Sequence, residues 1–133
     1  MSDLKQARVL LEAAEFDVSA LRGMGDAAVF ADAVFGFHVQ QAVEKSFKAW
    51  LAFLGAAYPL THDLEELLES LSAREPDAAR FDALTEYSPY AVQLRYAGFV
   101  PDAVPLDRDI ATAQAEALLE EVRRRLAEAE SGS

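Results

Sequence analysis

The segment FGFHVQQAVEKSFKAWLAFLG, Phe35 to Gly55, decides the fold. At about 100° of turn per residue, Val39, Val43, Ser46, Phe47, Trp50, Phe53 and Leu54 share one broad apolar arc, and His38, Gln41, Glu44, Lys45 and Lys48 take the opposite side. An arc of that width predicts a helix that serves as the central beam of a bundle. Towards its start the polar side runs into Phe30, Val34 and Phe37, spaced i, i+4, i+7. A second apolar strip needs cover of its own, from another helix of the same chain or from a second protomer. The expectation argued from it is a two-fold homodimer with Phe30, Val34 and Phe37 at the seam, because a self-complementary patch is the commonest such cover.

Outward from this beam the other helices follow from periodicity and punctuation. Asp3 suits the N-cap of a first helix to about Leu21 or Arg22, with Leu4, Ala7, Leu11, Ala14, Val18 and Leu21 facing the core. Gly23-Met24-Gly25 ends it, and Asp26 is expected to cap the central helix, which closes at Leu54 with Gly55 just beyond. Gly36 costs about 1 kcal/mol against Ala inside a helix, so it marks a crossing point. Thr61 is expected to cap a third helix carrying Leu64, Leu67, Leu68 and Leu71, and Pro76 to open a fourth that breaks at Ser88-Pro89, with Ser88 capping and Pro89 at N1 of a short continuation, Tyr90 to Tyr96. After a loop from Gly98 to Leu106, Asp107 caps a last helix whose core positions are read as Ile110, Ala113, Ala117, Leu118, Val122 and Leu126. No stretch alternates with period two. The fold class is all-α, an up-and-down bundle of four to five helices in one domain over residues 1–133, with its core at about 3–130 and a frayed tail at 131–133.

Composition narrows the function. The chain has 133 residues, no cysteine, and a net charge of −11 from 23 acids against 12 bases. That balance opposes an extended nucleic-acid surface, which draws on clustered Lys and Arg. Without a secretory leader or an apolar run of membrane length, the expectation is a soluble cytoplasmic protein. His38 and His62 are the only histidines, and neither has a Glu three residues before it, so no metal and no cofactor is expected. His38, Gln41, Lys45 and Lys48 lie on one helical face and could hold a phosphate or nucleotide. Spacing alone favours a solvated face with Glu44 pairing Lys48 at i, i+4. Arg95-Tyr96 follows Tyr87 and Tyr90, which makes an aromatic neighbourhood for one guanidinium. The run Arg123-Arg124-Arg125 among Glu120, Glu121 and Glu128 reads as an ion-paired surface.

Three blocks, Phe37 to Lys45 followed by Lys48-Ala49, then Thr61-His62-Asp63-Leu64, then Arg95-Tyr96, resemble the HEPN domain (higher eukaryotes and prokaryotes nucleotide-binding) in order and spacing. The resemblance implies a helical bundle that forms two-fold dimers and, in prokaryotes, often partners a minimal nucleotidyltransferase in a toxin–antitoxin-like pair. On that basis His38, Gln41, Lys45, Lys48, His62, Arg95 and Tyr96 are the candidate nucleotide or phosphate site. Many relatives are metal-independent ribonucleases with an Arg-x4–6-His motif. Here Val100, Pro101 and Asp102 stand at those spacings from Arg95, and Ala97 replaces the usual Pro after Arg-Tyr. The reading is therefore a binding and interaction module with no assigned catalytic residue. The alternatives are a ribonuclease toxin with a non-standard site around His62, Arg95 and Tyr96, and a purely structural bundle.

Overall fold

The computed structural model describes residues 3–93 and 106–132. Helix α1 spans Leu4–Gly23, α2 Asp32–Phe53, α3 Leu64–Ser72, α4 Tyr90–Gln93 and α5 Arg108–Ser131, with a 3-10 helix at Pro76–Tyr87 between α3 and α4. Among the described residues there is no strand, and no helix is long and apolar enough to cross a membrane. The protein is an all-α bundle.

Helix α2 is the beam, buried around most of its circumference from Phe35 to Ala52. Its end is a Schellman motif: Ala56 N–H donates to Leu51 O and Gly55 N–H to Ala52 O, both at 3.0 Å, with Gly55 at a φ of 75°. Only glycine takes that φ without steric cost, which is why the helix stops there. Helix α1 runs antiparallel beside α2, tied at its start by Asp3 N–H to Ala52 O at 2.9 Å. Its predicted stripe is buried from Ala7 to Leu21.

Helix α5 runs antiparallel to α1, and its register is visible in three ion pairs spaced seven residues apart on each helix. These are Arg8 with Glu130, Glu15 with Arg123, and Arg22 with Glu116. Seven residues are two turns, so one edge of each helix faces the other along the whole contact. Each exposed pair contributes at most about 1 kcal/mol; together they set the alignment. The arginine run is ion-paired as read, with Arg124 on Glu121 and Glu128. Arg125 goes further, stacking 4.6 Å from the Trp50 ring and reaching Asp77 at 3.0 Å, which fastens the 3-10 helix to the beam.

Gly36 is a crossing point. A Cβ there would lie 2.5 Å from Cγ of Tyr90, so the α4 ring sits directly on the α2 backbone.

Five expectations are corrected. Asp26 does not cap α2; its side chain accepts from Ala28 N–H and its carbonyl from Val29 and Phe30, closing a separate turn. Asx turns of this kind compete with helix extension, so α2 starts at Asp32 and Phe30 lies outside the helix, leaving Val34 and Phe37 alone on the strip. Arg108 holds that turn, donating to Met24 O, Phe30 O and Asp32 Oδ1. The α3 cap is Asp63, accepting from Glu65 N–H, while Thr61 accepts from Asp63 N–H one step earlier. The segment after Pro76 is 3-10 and not α. Ser88 does not cap the piece that follows; it accepts from Leu64 N–H at 2.9 Å, bracing the start of α3. The buried face of α5 is Arg108, Ala111, Ala115, Leu118, Leu119, Val122 and Leu126, so Ile110, Ala113 and Ala117 point outward.

Candidate functional site

The polar residues of α2 do not form a solvated face. Two carboxylates, nearly sealed from water, organise them. Asp17 of α1 is 8% exposed and accepts from Lys45 Nζ at 2.7 Å, with His38 Nδ1 at 3.0 Å from its other oxygen. Glu44 of α2 is 5% exposed and accepts from Gln40 Nε2 and His62 Nδ1, both at 2.8 Å, and from Lys48 Nζ at 3.1 Å. Each cluster thus joins one carboxylate, one imidazole and one ammonium.

Glu44 was expected on the solvent side, and its burial is the main departure in this region. A carboxylate can be buried only when several donors replace its water shell. Three donors do so here. Burial alone pushes the Glu44 carboxyl up, but the hydrogen bonds from Gln40 and His62 and the Lys48 charge outweigh it, and the group titrates below its ordinary value. It is a fixed anion at neutral pH.

Gln40 is the joint between helix and loop. Its Nε2 also donates to His62 O at 3.0 Å, and its Oε1 accepts from Gln41 Nε2 at 2.7 Å. The strand of chain before α3 is therefore gripped at both the His62 ring and its backbone. Lys48 Nζ also lies 5.8 Å from the centre of the Tyr58 ring.

Of the residues singled out from sequence, the fold brings His38, Gln41, Lys45, Lys48 and His62 onto one flank of α2. Arg95 and Tyr96 lie outside the described residues. Val34 and Phe37 are half-buried on α2, and the Phe37 ring meets His38 edge-on at 5.6 Å. Phe30 is half-buried in the turn before the helix. Among the described residues, no group of three or more His, Asp or Glu is placed to hold a metal ion. Sequence reasoning missed Asp17 and Gln40. Both sit among apolar core positions, Asp17 between Ala14 and Leu21 and Gln40 between Gly36 and Val43. A polar side chain inside an apolar stripe was the available signal.

The architecture and these clusters define a helical-bundle domain built around a polar seam between its first two helices and the loop before its third. The family model of the HEPN domain matches residues 1–130, and the chain belongs to that family. It has no match among curated proteins or solved structures.

Proposed function

We propose that this HEPN domain is a nucleotide-binding and interaction module, a cytoplasmic homodimer that partners a minimal nucleotidyltransferase in a toxin–antitoxin-like pair. One observation carries the reading: the family match spans nearly the whole chain, while neither histidine follows an Arg at the ribonuclease spacing. Both histidines are instead committed to buried carboxylates. Lys45 and Lys48 are each paired, yet an ammonium has three donors, so a phosphate on the outer side of α2 can share them. His38, Gln41 and His62 border that side, and the HEPN resemblance adds Arg95 and Tyr96, which lie outside the described residues, to the proposed nucleotide site.

The proposed dimer seam uses Phe30, Val34 and Phe37. Phe16 on α1, next to Asp17 in the chain, is 78% exposed and is a further apolar side chain that a second copy could cover. Co-purification with the product of a neighbouring nucleotidyltransferase gene tests the pairing, and Phe37→Asp is expected to convert dimer to monomer by light scattering at tens of micromolar with its helical circular dichroism intact. A wild-type monomer at that concentration, or failure to co-elute, leaves the structural-bundle reading.

The ribonuclease reading keeps one supporting observation, the exposed His62 ring backed by Glu44, an arrangement suited to proton transfer. Incubation with RNA in chelator decides between the two. Cleavage lost in Arg95→Ala and His62→Ala favours the enzyme.

A further inference from the structure

His62 differs from His38 in what its carboxylate leaves free. The His62 side chain is 59% exposed, against 29% for His38, although both rings are held through Nδ1. Glu44 is ionised and offers only lone pairs, so the nitrogen facing it carries the ring proton. In the neutral ring Nε2 then has the lone pair, and among the described residues no hydrogen bond occupies it. Gln40 fixes the His62 carbonyl as well, so the ring does not have to be ordered before it reacts.

We propose that His62 Nε2 is a phosphoryl-acceptor nucleophile, backed by Glu44 and open to a donor from solvent or from another protein. The inference goes beyond the nucleotide-module reading and does not depend on it. In the step, with a small N-phosphoryl donor such as phosphoramidate, the Nε2 lone pair attacks phosphorus, a P–N bond to the ring forms, and the donor's own P–N bond breaks with its electron pair leaving on nitrogen as ammonia. The ring keeps its Nδ1 proton and becomes a cation, whose charge Glu44 offsets at 2.8 Å. A carboxylate in this position fixes the tautomer and orientation of the ring, as it does for histidines that bind metals. Acyl adducts of imidazole hydrolyse faster than phosphoryl ones, so the lasting modification of such a ring is phosphoryl. Asp63, Glu65 and Glu66 lie close in the chain and oppose an anionic donor, while Lys48 and the first turn of α3 favour it. An open cleft of about 190 Å³ lined by Leu21, Arg22, Arg108 and Glu116 includes neither His62 nor Glu44; the ring is reached at the surface, where its side chain is exposed.

The probe is potassium phosphoramidate on the intact chain, whose leaving group is ammonia, read by mass spectrometry and phosphorus NMR. His62 is expected to be labelled before His38 and roughly tenfold faster than in the same chain unfolded in urea. His62→Gln, at an exposed site, should abolish the fast phase, and Glu44→Gln should slow it roughly tenfold. Nitrogen NMR should show the wild-type His62 ring in its Nδ1–H form, a readout that holds even if Glu44→Gln fails to fold. An Nε2–H ring, equal rates folded and unfolded, or His38 reacting first overturns the proposal.

Discussion

Replacing Gly36 with alanine sets two effects of opposite sign against each other. In an open helix interior the change should stabilise by about 1 kcal/mol, because glycine loses more backbone entropy on folding. Here the new methyl would lie 2.5 Å from Cγ of Tyr90. Cγ is the root of the ring, so turning the ring about its own axis does not clear it; Tyr90 has to leave its rotamer or α4 has to move. Overpacking of this kind costs about 1–3 kcal/mol, which matches or exceeds the propensity gain, so Gly36→Ala should be neutral to destabilising by about 2 kcal/mol. Removing the ring reverses the sign. In a Tyr90→Ala background the methyl meets open space, and Gly36→Ala should stabilise by about 1 kcal/mol. The cycle therefore predicts a coupling of about 1–3 kcal/mol between two residues 54 apart in sequence (90 minus 36). Urea unfolding of the four proteins, followed by circular dichroism with slopes compared, measures it. If Gly36→Ala stabilises both backgrounds alike, with coupling below about 0.5 kcal/mol, the ring does not rest on this backbone and the crossing is elsewhere.

Three further outcomes follow from the buried polar groups. Asp17→Ala strands the Lys45 ammonium and the His38 ring at the α1–α2 seam; because both partners keep some solvent contact, a loss of about 1–3 kcal/mol in urea unfolding is expected. Glu44 has a folded-state pKa depressed below its ordinary 4.5, so its contribution is present above that value and is lost as pH falls through and below it. Acid unfolding curves should show this loss, and Glu44→Gln should flatten it; an unchanged acid limb in the variant would contradict the donor set described for Glu44. Tyr87 behaves oppositely: burial, then the nearby Glu86, pushes its phenol up from 10.0 to about 12, so stability is intact below 10 and declines between about pH 10 and 12. Absorbance titration of wild type against Tyr87→Phe should locate a late-ionising phenol that the variant lacks.

Periodicity and punctuation determined much of this protein without coordinates. The core stripe of α1, the beam of α2, the stop at Gly55, the crossing at Gly36 and the start at Pro76 all express local backbone physics, which a chain carries in its neighbouring residues. The HEPN blocks were legible for the same reason, as short runs at fixed spacing. Tertiary structure decided the rest. The partners of His38 and Lys45 lie 21 and 28 residues away on α1, and that of His62 lies 18 residues back on α2. Helical phase places a polar side chain on a flank but does not say what the flank meets. Glu44 looked solvated because a carboxylate is buried only where distant donors converge on it, and no spacing within one helix announces them. On α5 the expected Ala113 and Ala117 lie outside and Ala111 and Ala115 inside, because an alanine is accommodated on either face and its periodicity does not fix which face is buried.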